Sequence, residues 1–188
     1  MKIWQKETPF VTKDSLTEEL FTESTLFFDI ETTGFSSAHT QVYLIGCVAR
    51  KGNLSCTTQF FAETPTEEKN ILSAFLSLAS QYQSLISFNG MGFDLPYLKE
   101  RCVRHDLTET LEQFPHLDIF RELSKFKKIL KLSNLKQKSL EIFLDLQRND
   151  KCSGGDLINV YLKYVKQPSE ESCALLQLHN YEDLLGMS

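Results

Sequence analysis

The chain has 188 residues, a formal net charge of −5, and 41% hydrophobic and 24% charged residues, a balance that fits one soluble globular domain with a single substantial core. No apolar run reaches the roughly 20 residues that span a bilayer, and the opening Met1-Lys2-Ile3-Trp4 lacks the pattern of a secretion leader. The five cysteines are odd in number and never in C-x-x-C spacing, which argues against a disulfide framework or a zinc site and for a reducing, cytoplasmic setting.

Residues 1–24 read as an N-terminal extension whose one signal is Ser15-Leu16-Thr17-Glu18, a capping box that predicts a short helix. The domain proper is expected over 25–188. Leu26 to Ile30 is a near-continuous apolar run, the mark of a central strand. Val42 to Ala49 and Leu54 to Phe61 flank the turn Lys51-Gly52-Asn53 and predict an antiparallel meander. Helical spacing follows Thr64-Pro65, with Ile71, Leu72, Phe75 and Leu76 on one face. Leu85 to Phe88 predicts a short strand, and a helix follows Pro96 to about His105. His116 to Phe120 reads as one more strand, and helices are expected over about 121–131, 137–146, 155–166 and 169–186. This order predicts an α/β fold with a mixed central sheet, antiparallel in its first three strands and then parallel, flanked by helices.

Three stretches could carry chemistry. In Phe28-Asp29-Ile30-Glu31-Thr32-Thr33-Gly34, strand alternation sends Asp29 and Glu31 from one face, roughly 6–7 Å apart. Two carboxylates held that closely repel, and a hard divalent cation such as Mg²⁺ or Mn²⁺ is the economical partner. Two solvated acids at a strand end are the commoner meaning of such a pair. In Asn89-Gly90-Met91-Gly92-Phe93-Asp94, the glycines permit a tight turn, and Asp94 opens a helix either as its N-cap or as a further carboxylate of the site. Asn89 is a turn residue or a donor to a bound strand. In His179-Asn180-Tyr181-Glu182-Asp183, residues four apart share a helix face, so His179 and Asp183 project together. A lone pair of this kind is most often a surface hydrogen bond; beside other acids it reads as a proton-handling group next to a metal ligand. The stretch Arg121 to Lys138 holds seven basic residues against one acid, a solvated helix face or a grip on phosphates.

These motifs together resemble the three exonuclease motifs of the DEDD superfamily, and more closely its YprB-like branch: Phe88-Asn89-Gly90, Phe93-Asp94-Leu95-Pro96, His116-Leu117-Asp118 and His179-Asn180 with Asp183-Leu184-Leu185. The resemblance runs from about residue 24 to 187 and implies a ribonuclease H-like fold. It implies two-metal-ion 3′–5′ exonuclease activity on single-stranded nucleic acid, RNA or DNA. Asp29, Glu31 and Asp183 would hold one Mg²⁺ or Mn²⁺ ion, and Asp29 would bridge to a second that Asp94 reaches through water. Backbone donors around Thr32 and Thr33, the ring of Phe35, and Asn89 would hold the 3′-terminal nucleotide. One departure concerns the base. Relatives place a histidine five residues, or a tyrosine four residues, before the last aspartate. Here His179 stands four before Asp183, in the tyrosine's slot, with an imidazole whose ordinary pKa of about 6.5 suits general base work. The competing readings are a catalytically silent nucleic-acid-binding or scaffold domain, a structure-specific endonuclease, and a small phosphodiesterase.

Overall fold

In a computed structural model, which describes residues 1–12 and 14–188, six strands form one mixed sheet. They are β1 (Lys2–Pro9), β2 (Thr25–Thr32), β3 (Val42–Lys51), β4 (Leu54–Phe61), β5 (Ser84–Ser87) and β6 (His116–Asp118), in the spatial order β1-β4-β3-β2-β5-β6. β1, β4, β3 and β2 pair antiparallel, whereas β5 and β6 join parallel to β2. Helices α1 (Ser15–Leu20), α2 (Glu68–Ala79), α3 (Asp94–Arg104), α4 (Ile119–Ser124), α5 (Gln137–Phe143), α6 (Gly154–Lys166) and α7 (Glu170–Met187) complete the fold. The mixed sheet, antiparallel through β2, β3 and β4 and then parallel, is the one expected from the sequence.

Alternation along β2 decides which side of the sheet becomes the site. Leu26, Phe28 and Ile30 point to the face covered by α2 and α3, where they pack with Ile71, Leu72, Phe75 and Leu98. Each fully buried Leu or Phe of this kind contributes about 1.5–3 kcal/mol. Phe27 points the other way, into a cluster with Val48 and Leu184 of α7. Asp29 and Glu31 share its parity, so they face α7 as well. On the same side, Tyr43 of β3 stacks on Tyr161 of α6 with ring centroids 4.2 Å apart.

Helix α7 lies close on the sheet because β3 offers it a gap. Gly46 pairs with Asp29 across the β2/β3 ladder. A Cβ at Gly46 would stand 2.0 Å from Asn180 Oδ1 and 2.7 Å from Leu184 Cδ1. Cys173, Leu176, Asn180 and Leu184 recur at helical spacing on the buried face of α7.

Four local expectations are revised. The N-cap of α1 is Asp14, which accepts from Thr17 N at 2.7 Å, and Ser15 is already helical. Residues 2–9, which carry no strand pattern, form β1 and pair with β4 along their whole length. Their polar, largely exposed side chains and the closing Pro9 suit an edge strand, which hides the apolar alternation that marks inner ones. The helix expected to begin after Pro96 starts at Asp94, with Pro96 in the first turn, where its missing N–H costs nothing. The helix expected over 121–131 ends at Ser124. Beyond it the chain runs in turns to Lys131, whose φ of +52° is left-handed and cannot continue a helix.

Candidate metal and nuclease site

Asp29 and Glu31 at the end of β2, Asp94 at the start of α3, and His179 and Asp183 on α7 converge on one region of the sheet. One ligand atom each from Glu31, His179 and Asp183 gather within 4.8 Å of one another. His179 Nε2 lies 3.6 Å from Glu31 Oε1 and 3.3 Å from Asp183 Oδ2. Asp29 stands beside this trio with Oδ2 accepting from Asn180 Nδ2 at 2.8 Å. The Asn180 amide is held at its other end by Gln59 Nε2, 2.9 Å from Asn180 Oδ1. Asp94 is not an N-cap: Phe93 occupies that position, and Asp94 Oδ1 accepts from Ile30 N at 3.2 Å. Its carboxylate is therefore turned toward β2 and the other acids.

Burial, and then the charges of Asp94, Asp183 and Glu31, push the Asp29 carboxyl well above its ordinary range. Burial, with Asp183 and Asp94 next, does the same to Glu31. Burial also raises Asp94, to about 7, against the pull of the Ile30 amide. A cluster of hard oxygen donors that resists carrying its own charge suits a divalent cation such as Mg²⁺ or Mn²⁺. The histidine adds to this fit. Its Nδ1 is 2.5 Å from Asp150 Oδ2, so the neutral ring keeps its proton there and turns the Nε2 lone pair toward two carboxylates. A cation between these groups would relieve that crowding of lone pairs.

A folded-state pKa raised above the unfolded value means that the folded chain binds protons where the unfolded chain has released them, so stability falls as pH rises through that window. For Asp94 the window runs from 3.8 to about 7. Metal-free protein should melt at a higher temperature near pH 5.5 than near pH 7.5, and millimolar Mn²⁺ should raise the midpoint more at the higher pH. Calorimetric scans at both pH values check this. A midpoint indifferent to both pH and Mn²⁺ would separate the acids from any metal role.

No sequence pattern marks a second set of residues behind α7. Arg148, in the segment between α5 and α6, is 11% exposed at its side chain and reaches Glu141 Oε2 at 3.0 Å and Asp183 Oδ1 at 2.5 Å. It also lies 3.5 Å from Asp150 Oδ2 and 3.6 Å from Glu182 Oε2. Burial opposes charge on Asp150, but the Cys152 amide, His179 and Lys138 hold its carboxyl down at about 2. Burial likewise opposes charge on Glu182, and the amides of Asn149 and Asp150 outweigh it. Gln137 of α5 donates to the Asp183 carbonyl at 2.6 Å. Thus the segment 137–150 clamps the face of α7 that carries His179 and Asp183. Arg148-Asn149-Asp150 sits in a loop without periodicity, so only contact in space reveals it.

Asn89 lines a cleft of about 410 Å³ together with Asp29, Phe93, Asp94, Phe120 and Lys136, among others. Asn89 takes the left-handed conformation, with φ +62°, and its amide donates to Asp118 Oδ1 at 2.9 Å. Asp118 Oδ2 accepts from Met91 N at 3.1 Å, which fixes the glycine turn. Phe35 is 89% exposed, with its ring centroid 6.2 Å from that of Phe93. Thr32 Oγ1 donates to the Gly34 carbonyl at 2.9 Å, and the Thr33 amide is engaged with the Gln41 carbonyl at 2.9 Å. These bonds shape the loop and leave the Phe35 ring outermost.

Comparisons with known proteins agree with this architecture. A family model described as the RNase_H superfamily matches residues 26–188. The chain is 27% identical over 167 residues to an uncharacterized protein, YprB, of Bacillus subtilis (strain 168), an alignment that takes in 86% of this chain and 39% of that protein. The chain thus spans about two fifths of that relative's length. Among solved structures it superposes on a family B DNA polymerase from the hyperthermophilic archaeon Pyrobaculum calidifontis with a TM-score of 0.69, 14% identity, and coverage of 87% of this chain and 23% of the polymerase. The zinc-bound E. coli exonuclease I complex with single-stranded DNA gives a TM-score of 0.55 at 14% identity, over 86% of this chain and 44% of that one. At such identities these likenesses speak to the fold, which is ribonuclease H-like. No helix among the described residues is long and apolar enough to cross a membrane.

Proposed function

This chain belongs to the RNase H superfamily, and on that premise we propose that it is a DEDD-type, metal-dependent 3′–5′ exonuclease, hydrolysing single-stranded RNA or DNA to nucleoside monophosphates. The observation that carries this reading is the meeting of Glu31, His179 and Asp183 within 4.8 Å, next to the raised carboxyls of Asp29 and Asp94. An inert scaffold gains nothing from such mutual repulsion.

Asp29, Glu31, Asp94 and Asp183 would hold two Mg²⁺ or Mn²⁺ ions. Bound there, such ions would polarise the scissile phosphate, favour deprotonation of the attacking water and offset charge on the departing 3′ oxygen. His179 accepts the water's proton at Nε2, while Asp150 keeps the other ring proton on Nδ1 and stabilises the imidazolium that forms. Asn180, anchored by Gln59, holds Asp29 in one orientation. Arg148 does the same for Asp183. The 3′-terminal nucleotide lies in the cleft with its base against Phe35 and Phe93 and its sugar near Asn89. Thr32 and Thr33 act by shaping the loop that presents Phe35.

The direct test offers 5′-labelled and 3′-labelled single strands to the purified chain with Mg²⁺ or Mn²⁺. Release of nucleoside monophosphate from the 3′ label, with stepwise shortening of the 5′-labelled strand, is expected. Internal cuts without monophosphate would replace this reading with an endonuclease.

His179→Ala should slow hydrolysis about 10²-fold or more, the usual worth of a positioned base, and should keep the upward shift of the melting midpoint by Mn²⁺. Asp150→Asn should slow it by at least about tenfold through the ring it orients. A His179→Ala rate within about twofold of the parent amounts to less than roughly 0.4 kcal/mol of barrier and would remove it as the base. Loss of the Mn²⁺ shift in that variant would make it a metal ligand instead.

A further inference from the structure

The basic stretch after β6 has a geometry that the cleavage chemistry does not use. The chain leaves the cleft at Phe120 and returns to it at Leu135 and Lys136, and all three line the same depression as Asp29 and Asp94. The excursion between them is rooted at both ends in the candidate site. It carries α4, then the turns over 125–132, with Leu130 N bonded to the Phe126 carbonyl and Leu132 N to the Lys127 carbonyl.

Some of its cations are engaged. Lys125 pairs with Glu122 at 2.6 Å, Arg121 stands 3.9 Å from Asp118, and Lys138 reaches Asp150 at 3.1 Å. Lys127, Lys128, Lys131 and Lys136 are exposed, with no carboxylate within 4.0 Å among the described residues. Four free cations within ten residues stand out on a chain of net charge −5. Phe126, just before them, is 50% exposed, and Ile129, among them, is 75% exposed. Lysines that match phosphates, interleaved with apolar and aromatic groups that receive unpaired bases, are the composition of a single-strand track. A duplex offers no unstacked base to such a surface.

We propose that residues 125–136 form a track for the single strand upstream of its 3′ end, with Lys127, Lys128 and Lys131 on the phosphates and Phe126 against a base. This proposal deepens the exonuclease reading and rests on it for the direction of the strand. Its consequence is length dependence: a strand long enough to leave the cleft gains binding that a dinucleotide does not.

The test compares the parent chain with Lys127→Glu/Lys128→Glu/Lys131→Glu, and with the gentler triple Lys→Gln variant as a check on folding. Fluorescence anisotropy of a labelled 20-nucleotide single strand in EDTA reads binding alone. Hydrolysis of the same strand and of a dinucleotide with Mn²⁺ reads the length effect. Expected are at least a tenfold loss of affinity for the long strand and a salt slope smaller by about 2, since three single-strand phosphate contacts count about 0.7 each. The ratio of long-strand to dinucleotide rates should fall at least fivefold. Unchanged affinity and ratio in both triple variants would overturn the track. Parent protein that binds anionic phosphatidylserine vesicles but not the 20-mer would overturn it in favour of a membrane surface. If the parent hydrolyses neither substrate yet loses 20-mer affinity with the lysines, the surface stands and the nuclease reading falls.

Discussion

Asp29→Asn should lower the rate of strand hydrolysis at least about 10³-fold, roughly 4 kcal/mol of barrier, while leaving the metal-free protein as stable as the parent or more so. The two effects have one origin. Asparagine keeps an oxygen that can accept from Asn180 Nδ2, the contact made at 2.8 Å by Asp29. It removes a buried charge whose neighbours Asp94, Asp183 and Glu31 all disfavour it. What the fold loses in repulsion, the site loses in its capacity to neutralise a cation. Initial rates on a labelled strand with Mn²⁺, paired with urea unfolding in EDTA, read both at once. Activity within tenfold of the parent, or a stability loss above about 2 kcal/mol, would show that Asp29 serves packing rather than chemistry.

Arg148→Met should produce the largest loss of stability of any single substitution in the site, about 3–5 kcal/mol. For a domain of this size that corresponds to a fall in midpoint of roughly 10 °C. Removing the guanidinium leaves Glu141 buried without its closest cation, at 3.0 Å, and frees Asp183 from the contact that orients it. Glu141 is 3% exposed, so water cannot take over. Arg148→Lys should recover little, because an ammonium cannot present a planar fork to carboxylates on two helices. Adding Glu141→Gln to Arg148→Met should cost less than the sum of the single changes, as it discharges the stranded acid. Chemical denaturation of the parent, the two Arg148 variants, Glu141→Gln and the double variant checks this. A loss under about 1 kcal/mol for Arg148→Met would mean that the network is solvated and relaxes around the gap.

The halves of the site differed in how well they could be read. Asp29 and Glu31 were legible because strand alternation depends only on sequence spacing, and the apolar partners Phe28 and Ile30 fixed which face they left. His179 and Asp183 were legible for the same reason on a helix, where four residues make about one turn. For Asp94 the sequence leaves two local roles open, helix cap or site carboxylate, and the choice is made in space by an amide that belongs to Ile30, 64 positions earlier. Asp150 and Arg148 were not found at all. Their meaning comes from a loop folded back on α7, 29 residues from His179 and 35 from Asp183, and no periodicity encodes such a contact. β1 escaped because an edge strand lacks the apolar signature of inner strands. The basic stretch is visible in composition, but its return to the cleft at Leu135 and Lys136 is not, and neither is the left-handed turn at Lys131.

The gap at Gly46 sets the spacing between two separately encoded parts of the molecule. Glu31 and Asp29 belong to the sheet, His179 and Asp183 to a helix, and the distance between them depends on a side chain that is not there. A single methyl at position 46 would meet Asn180 and Leu184 well inside contact distance and force the helix to lift or turn. Every acid and the histidine would survive such a change, and their register would not. A copy of this chain could therefore be silenced while its motifs stayed intact, so a survey that counted only carboxylates would mistake it for a working enzyme.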